Sequence, residues 1–320
     1  MSAAPKPGPR GLRVRPLTLA DIPSLNVLFS EAFSDRYRRD GMAGVRVPPL
    51  SSNIWRYAIE DAGDGALCWV DADDRLAAFN VVHQSGVEGW MGPLAVRPEW
   101  QEAGLGKQVV QRGVDFLRAR GCTVIGLETM PRTMDNIGFY SRLGFVPAHM
   151  TMTFSFEAER ARSVLLSRLS EADRRAAAES CAALVRRLQP GVDFGREIQL
   201  TQDLGIGDTV LLFGRDGVEA FALCHDAPLI DGRTRDETRV LKAAVNDVTL
   251  LMPLMTAVGG FARDCGTARA AIRLQCDYTD AYRALVAAGG RVRWTDLRMT
   301  LAGYSERLPA NGMVLSNWEI

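Results

Sequence analysis

Apolar positions recur along this chain at two different periods. Ile22, Leu25, Leu28, Phe29 and Phe33 fall at three-to-four spacing, which predicts one buried face of a helix. Thr18 and Asp21 stand just ahead of it, three residues apart, as an approximate capping box. Short strands are predicted at Leu12–Leu17, at Ala66–Val70 and at Leu76–Val82, the last two separated by the turn-forming Asp71-Ala-Asp-Asp74. Another strand runs from about Val87 to Val96. A long helix over about Gly106–Arg120 buries Val109, Val110, Val114, Phe116 and Leu117 and stops at Gly121. Cys122–Thr129 reads as a strand, Asn136–Leu143 as a short helix ending at Gly144, and Val146–Phe156 as a closing strand. This order predicts an α/β (α+β) fold with a mixed, mostly antiparallel sheet.

The plan recurs in the second half. Val14–Asp21 lines up with Leu166–Asp173, Asp74–Phe79 with Asp216–Phe221, and Leu94–Val96 with Ala243–Val245. Phe116–Gly121 lines up with Phe261–Gly266, and Leu143-Gly144 with Ala288-Gly289. Five weak matches in one order point to a duplicated domain. The expected division is a loose tail over 1–11, a first domain over 12–157, a second over 158–303 and a tail over 304–320. Residues 312–320 of that tail are expected to add a strand or to pack across the domain boundary.

Composition narrows the function classes. The 320 residues carry 38 basic and 38 acidic side chains, so there is no basic excess of the kind a dedicated nucleic-acid binder shows. No apolar run approaches the roughly 20 residues of a membrane span. The first ten residues lack the apolar stretch of a secretory signal. Six cysteines without a CxxC pair, and three histidines, supply a metal site poorly. A cytoplasmic protein with free thiols is expected, as a monomer or homodimer, without metal, nucleic acid or membrane as partner.

The chemistry concentrates in Leu94-Ala-Val-Arg-Pro-Glu-Trp-Gln-Glu-Ala-Gly-Leu-Gly-Lys107. An apolar strand ends at Val96, a proline turn follows, and Gln101-x-x-Gly104-x-Gly106 opens the long helix. Glycines let a backbone turn tightly and approach a ligand. The first N–H groups of a helix have no partner within it, and the helix dipole adds positive potential there. Such a place binds pyrophosphate without a cationic side chain. A plain strand-to-helix loop is the alternative. A Rossmann site fits poorly, because it wants G-x-G-x-x-G directly after a first strand.

The strand, the R-P-E turn and Q-x-x-G-x-G-K resemble motif A of the GCN5-related N-acetyltransferases (GNAT). Asn136-Ile-Gly-Phe-Tyr140-Ser-Arg-Leu-Gly-Phe145 resembles that family's motif B, and Arg13–Asp21 its first strand and helix. The resemblance covers about Leu12–Phe156, with Arg162–Leu301 as a degenerate second copy. It implies two tandem domains, each a mixed sheet flanked by helices, and acetyl-CoA as co-substrate. Leu94, Ala95 and Val96 would align the pantetheine and thioester. Backbone N–H groups of Glu102, Ala103, Gly104, Leu105, Gly106 and Lys107, with Gln101, would hold the pyrophosphate. Asn136 would bond the pantetheine arm, or cap its helix.

Tyr140 is the candidate acid. A phenol near the thioester sulfur can protonate the leaving thiolate, whereas a packed ring is the alternative role. Glu88 and Glu128 are the candidate bases, with His83 a third. Phe33, Tyr37 and Trp90 are expected to wall the acceptor, with Trp55 and Trp69 as further candidates and core packing as the alternative for each. The second copy departs where chemistry would sit. Val96 and Gly121 are separated by 24 residues, Val245 and Gly266 by 20; the shortfall falls in the phosphate loop. Asp247 would repel phosphate there, and Leu285 stands where Tyr140 does. The sequence therefore predicts transfer of an acetyl group to a primary amine, small-molecule or peptide, in the first domain. A non-catalytic acyl-CoA-binding sensor is the rival reading.

Overall fold

The computed structural model describes residues 11–317. The expected N-terminal tail, apart from residue 11, lies outside them, as do residues 318–320. The first half is β1 (Arg13–Pro16), α1 (Ile22–Arg39), α2 (Ser52–Ala62), β2 (Ala66–Val70), β3 (Leu76–Ser85), β4 (Glu88–Val96), α3 (Leu105–Ala119), β5 (Val124–Thr129), α4 (Met134–Arg142) and β6 (Phe145–Glu157). The second half repeats that order. It comprises β7 (Val164–Leu165), α5 (Glu171–Leu188), α6 (Gly195–Leu204), β8 (Gly207–Phe213), β9 (Val218–His225), β10 (Glu237–Val245), α7 (Leu251–Asp264), β11 (Arg269–Gln275), α8 (Thr279–Ala287) and β12 (Arg291–Leu301). A last strand, β13 (Met313–Ser316), follows.

The two halves share one sheet of thirteen strands, ordered β1-β2-β3-β4-β5-β12-β6-β11-β10-β9-β8-β7, with β13 pairing β10 off this path. β12 of the second half lies between β5 and β6, pairing Arg298 with Glu128 and Met299 with Leu127. β6 of the first half in turn lies between β12 and β11, pairing Phe154 with Ile272. Each half thus completes the other's sheet. The core crosses the boundary as well. One apolar cluster runs from Leu25, Trp55 and Phe79 into Leu184, Phe194 and Phe221. Among the described residues no helix is long and apolar enough to cross a membrane.

Two local features shape the first half's open end. β4 runs parallel to β5 only from Glu88↔Val124 to Met91↔Leu127. Beyond Met91, β4 keeps β3 as its neighbour, through Asn80↔Leu94, Phe79↔Ala95 and Ala78↔Val96. The register shifts between Asn80 and Val82, a bulge at Gly92-Pro93 that turns β4 away from β5. The backbone of 92–96 is left with one unpaired edge.

In the second half the parallel pairing of β10 and β11 covers Glu237–Arg239 and Arg269–Ala271, and there too the strands part. Here β13 enters. It pairs with β10 antiparallel over Lys242–Val245, with its residues buried.

Candidate active site

A groove of about 700 Å³ opens where β4 and β5 separate. Leu94, Ala95 and Val96 line one side, and Asn136, Phe139 and Tyr140 of α4 the other. Gln101, Glu102, Gly104, Gly106 and Lys107 close one end. Gly104, the residue before α3, has φ +84, a conformation that any side chain would strain. No side chain caps α3, so its first N–H groups are not consumed within the helix end. Gln101 Nε2 donates to the carbonyl of Val96 at 2.9 Å and ties the loop to the strand end. Arg36, Arg39, Lys107 and Arg142 line this groove together with Asp35, Glu102 and Asp135, and Arg39 pairs with Asp35 at 2.8 Å, so its rim is of mixed charge. Ala103 and Leu105 do not line it. Leu105 is buried in a cluster with Trp69 and Ala78, so only its backbone remains for a ligand.

The corresponding turn in the second half is built differently. The Asp247 carboxylate accepts from the Thr249 N–H at 2.9 Å and from its hydroxyl at 2.7 Å. An acidic side chain thus takes a donor that a phosphate would need, while β13 covers the β10 edge equivalent to Pro93–Val96. Leu285 is fully buried in the core of that half.

Beside the groove lies a second cavity of about 480 Å³. The two share Phe33, Arg36, Leu94, Asn136 and Tyr140. Tyr140 therefore stands at the junction. It is mostly buried, and burial raises its phenol pKa to about 12. It carries its proton throughout the neutral range, as an acid must. Asn136 Nδ2 reaches Thr129 Oγ1 at 3.5 Å, spanning the opening between α4 and β5.

The second cavity draws on both halves. The first contributes Phe33, Tyr37, Val47, Leu50, Met91 and Glu128; the second contributes Leu229, Glu237, Arg239, Arg273, Trp294 and Asp296. The loop between α1 and α2 is held over it by Asn26, which accepts from Leu50 N at 2.9 Å and donates to Leu50 O at 2.9 Å. Ser30 Oγ donates to Val47 O at 2.5 Å. Ser51 N donates to Leu229 O at 2.9 Å, so a second-half loop closes on the first. Tyr37 and Trp294 approach with ring centroids 6.4 Å apart, one ring from each half.

Several candidates from the sequence fall elsewhere. Glu88 is fully buried at the paired end of β4, accepting from Gln189 Nε2 at 2.5 Å, and lines neither space. The reason is register: the strands part only after Met91, beyond Glu88. Trp90 is buried under the guanidinium of Arg298, 4.2 Å from its ring centroid, and walls nothing. Trp55 and Trp69 are core residues; Trp55 Nε1 donates to Asn26 Oδ1 at 2.6 Å. His83 lies behind β4, its Nδ1 2.5 Å from Asp61 Oδ2 and its Nε2 3.1 Å from Gly92 O, so neither nitrogen is aimed at the cavity. Glu128 does line the cavity but is ion-paired with Arg273 at 2.6 Å and Arg298 at 2.9 Å. Arg239, Arg273, Trp294 and Asp296 carry no signal in the sequence, because the sheet shared by the two halves brings them in from far along the chain.

Comparison with known proteins agrees with this geometry. Residues 28–145 match the Acetyltransferase (GNAT) family. A glucosamine 6-phosphate N-acetyltransferase from Oryza sativa subsp. japonica is 30% identical over 155 residues, 45% of this chain and 87% of that protein. The ribosomal protein bS18-alanine N-acetyltransferase of Salmonella typhimurium is 35% identical over 74 residues, 23% of this chain; the chain spans only 50% of that relative's length. Among solved structures, a GCN5-related N-acetyltransferase from Sphaerobacter thermophilus superposes with TM-score 0.60 at 17% identity, over 92% of this chain and 96% of that one. A tandem GNAT protein from the clavulanic acid biosynthesis pathway superposes with TM-score 0.59 at 11% identity, over 92% of this chain and all (100%) of that one. These two likenesses concern the fold.

Proposed function

Because the chain belongs to the GNAT acetyltransferase family, we propose that it transfers an acetyl group from acetyl-CoA to a primary amine, in the first half alone. The observation that carries this reading is the junction at Tyr140, where the groove at the start of α3 meets the two-halved cavity. Acetyl-CoA would lie in the groove, its pyrophosphate on the uncapped start of α3 and its pantetheine along the free edge of 94–96. The amine would enter from the cavity. As its nitrogen bonds to the acetyl carbon and the carbon–sulfur bond breaks, charge develops on sulfur. Tyr140 Oη donates its proton there, and the proton shed by the product nitrogen returns through solvent to the phenolate.

Glu128 is not assigned as base, since its oxygens are engaged by two guanidiniums. A bound water that relays the amine proton outward suffices in this reading. The second half, with its acid-capped turn and its filled strand gap, would shape the acceptor cavity and leave the co-substrate to the first half. We take 12–157 and 158–303 as its two duplicated units, with 304–320 as an extension that supplies β13.

Release of CoA thiol from acetyl-CoA, measured with the full chain and a panel of amines, tests this. Amine-dependent release is expected. Tight acetyl-CoA binding without release for any amine would instead favour a sensor.

A further inference from the structure

Three arginines line the cavity next to Tyr140, and two are neutralised within the protein. Arg36 pairs with Asp40 at 2.5 Å and Asp135 at 3.2 Å. Arg273 pairs with Glu128 at 2.6 Å and also with Asp296. The third, Arg239 on β10, has no ion pair among the described residues; its Nη2 donates to the carbonyl of Ala227 at 3.0 Å. Glu237, Asp226 and Asp236 stand near it without pairing it directly, and Glu237 lines the same cavity. Glu237, two residues earlier on the same strand face, lies 3.9 Å from Arg269 Nε, and Asp226 is held by Arg235 at 2.9 Å. Burial dominates the environment of Arg239 and pushes its pKa below the ordinary guanidinium value.

A half-buried guanidinium with no direct ion pair gains from one bound oxyanion that pairs it directly. The planar fork of arginine matches carboxylate or phosphate with two parallel hydrogen bonds. Arg239 is contributed by the second half and Tyr140 by the first, so a molecule touching both must span the cavity. We propose that Arg239 binds an oxyanion of the acceptor, which is therefore an anionic amine: a primary amine carrying a carboxylate or a phosphate apart from its reacting nitrogen. This rests on reading the cavity as the acceptor site.

The test uses matched amines that differ by one oxyanion. Glycylglycine against glycylglycinamide and 4-aminobutyrate against 4-aminobutyramide report carboxylate. Glucosamine 6-phosphate against glucosamine and phosphoethanolamine against ethanolamine report phosphate. The full chain and its Arg239→Gln and Arg239→Lys variants are assayed by CoA thiol release, with acetyl-CoA binding by calorimetry as the check that each variant is folded. The wild type should favour the anionic member of at least one pair by roughly 10- to 100-fold in kcat/KM, the scale of a charge-assisted hydrogen bond. Arg239→Gln should collapse that ratio to about twofold or less, through KM, and Arg239→Lys should keep part of it. Equal or better use of the neutral member in every pair overturns the proposal, as does a preference that survives in Arg239→Gln. A chain that binds no acetyl-CoA fails the parent reading instead. In that case the anion site is read by thermal stabilisation with inorganic phosphate or acetate. An Arg239-dependent stabilisation supports it, and none overturns it.

Discussion

Glu128 Oε2 on β5 lies 2.6 Å from Arg273 Nη2 on β11, an ion pair that joins the two halves at the wall of the cavity they both line. Arg298 Nε, from the exchanged strand β12, approaches the other carboxylate oxygen at 2.9 Å. Removing one member of an isolated buried pair costs about 3–5 kcal/mol, but without Glu128 the guanidinium of Arg273 keeps Asp296 and that of Arg298 keeps Glu306, so the expected loss is about 1–3 kcal/mol. Glu128→Gln should therefore lower stability by about that much, read by denaturant unfolding. A variant that is normally stable but loses turnover selectively would return Glu128 to the role of base.

Tyr140→Phe should leave acetyl-CoA affinity nearly unchanged and lower kcat by about 10²-fold, the usual scale of general-acid help. The loss belongs in kcat, because the hydroxyl acts on charge present only in the transition state. With its phenol pKa raised to about 12, Tyr140 should cause no fall of kcat below about pH 11. Calorimetry beside steady-state kinetics over pH checks both statements. Normal turnover by Tyr140→Phe would make the residue a packing group.

His225 sets a pH dependence of stability. It is buried, bonded to Thr201 Oγ1 at 2.9 Å and edge-on to Tyr57, with ring centroids 4.5 Å apart. Burial lowers its pKa to about 3, against an ordinary value of 6.5. Between those values the unfolded chain binds a proton that the folded chain does not. The contribution is thus whole above pH 6.5 and is lost as pH falls toward 3, at up to about 1.4 kcal/mol per pH unit. His225→Asn should flatten the stability–pH curve over pH 6 to 4, measured by urea midpoints. An unchanged slope in that variant contradicts this.

The exchanged strands make the halves interdependent. A fragment ending at residue 157 lacks β12 and β11, so β6 loses both neighbours and β5 one of them. It also exposes the shared cluster around Trp55 and Phe79. Such a fragment should aggregate or stay unfolded by circular dichroism, whereas the full chain folds. A soluble, active fragment over 1–157 would show the second half to be separable.

The legible parts of this protein are those whose signal is local. Helical spacing in Ile22–Phe33 and Val109–Leu117, and the glycines before α3, are encoded in neighbouring residues, and α1, α3 and the groove follow from them. The repeat is legible because element order survives where side chains have changed. What stays hidden depends on long-range register. Glu88 and Trp90 are on β4 as expected, but only the parting of β4 from β5 after Met91 decides which of its residues face the groove. The helix α2 carries the same kind of local signal, with Ile54, Trp55, Ala58, Ile59 and Ala62 at helical spacing behind Ser51, and only its packing toward α6 and the shared core depends on the long range. Arg239 and Trp294 reach the cavity through strands of the other half, and no spacing in the chain announces that.

The central claim is one acetyl-CoA site per chain, on the open start of α3. A Cβ at position 104 would meet open space, but the backbone there has a left-handed φ, so Gly104→Asp adds strain and a negative charge at the proposed pyrophosphate site. Calorimetric titration of acetyl-CoA into the full chain and into Gly104→Asp is the direct measurement. The account predicts a stoichiometry of one for the wild type and at least a tenfold weaker site in the variant, the loss of about 1.4 kcal/mol of binding. Two equivalent sites, or unimpaired binding by Gly104→Asp, would contradict it.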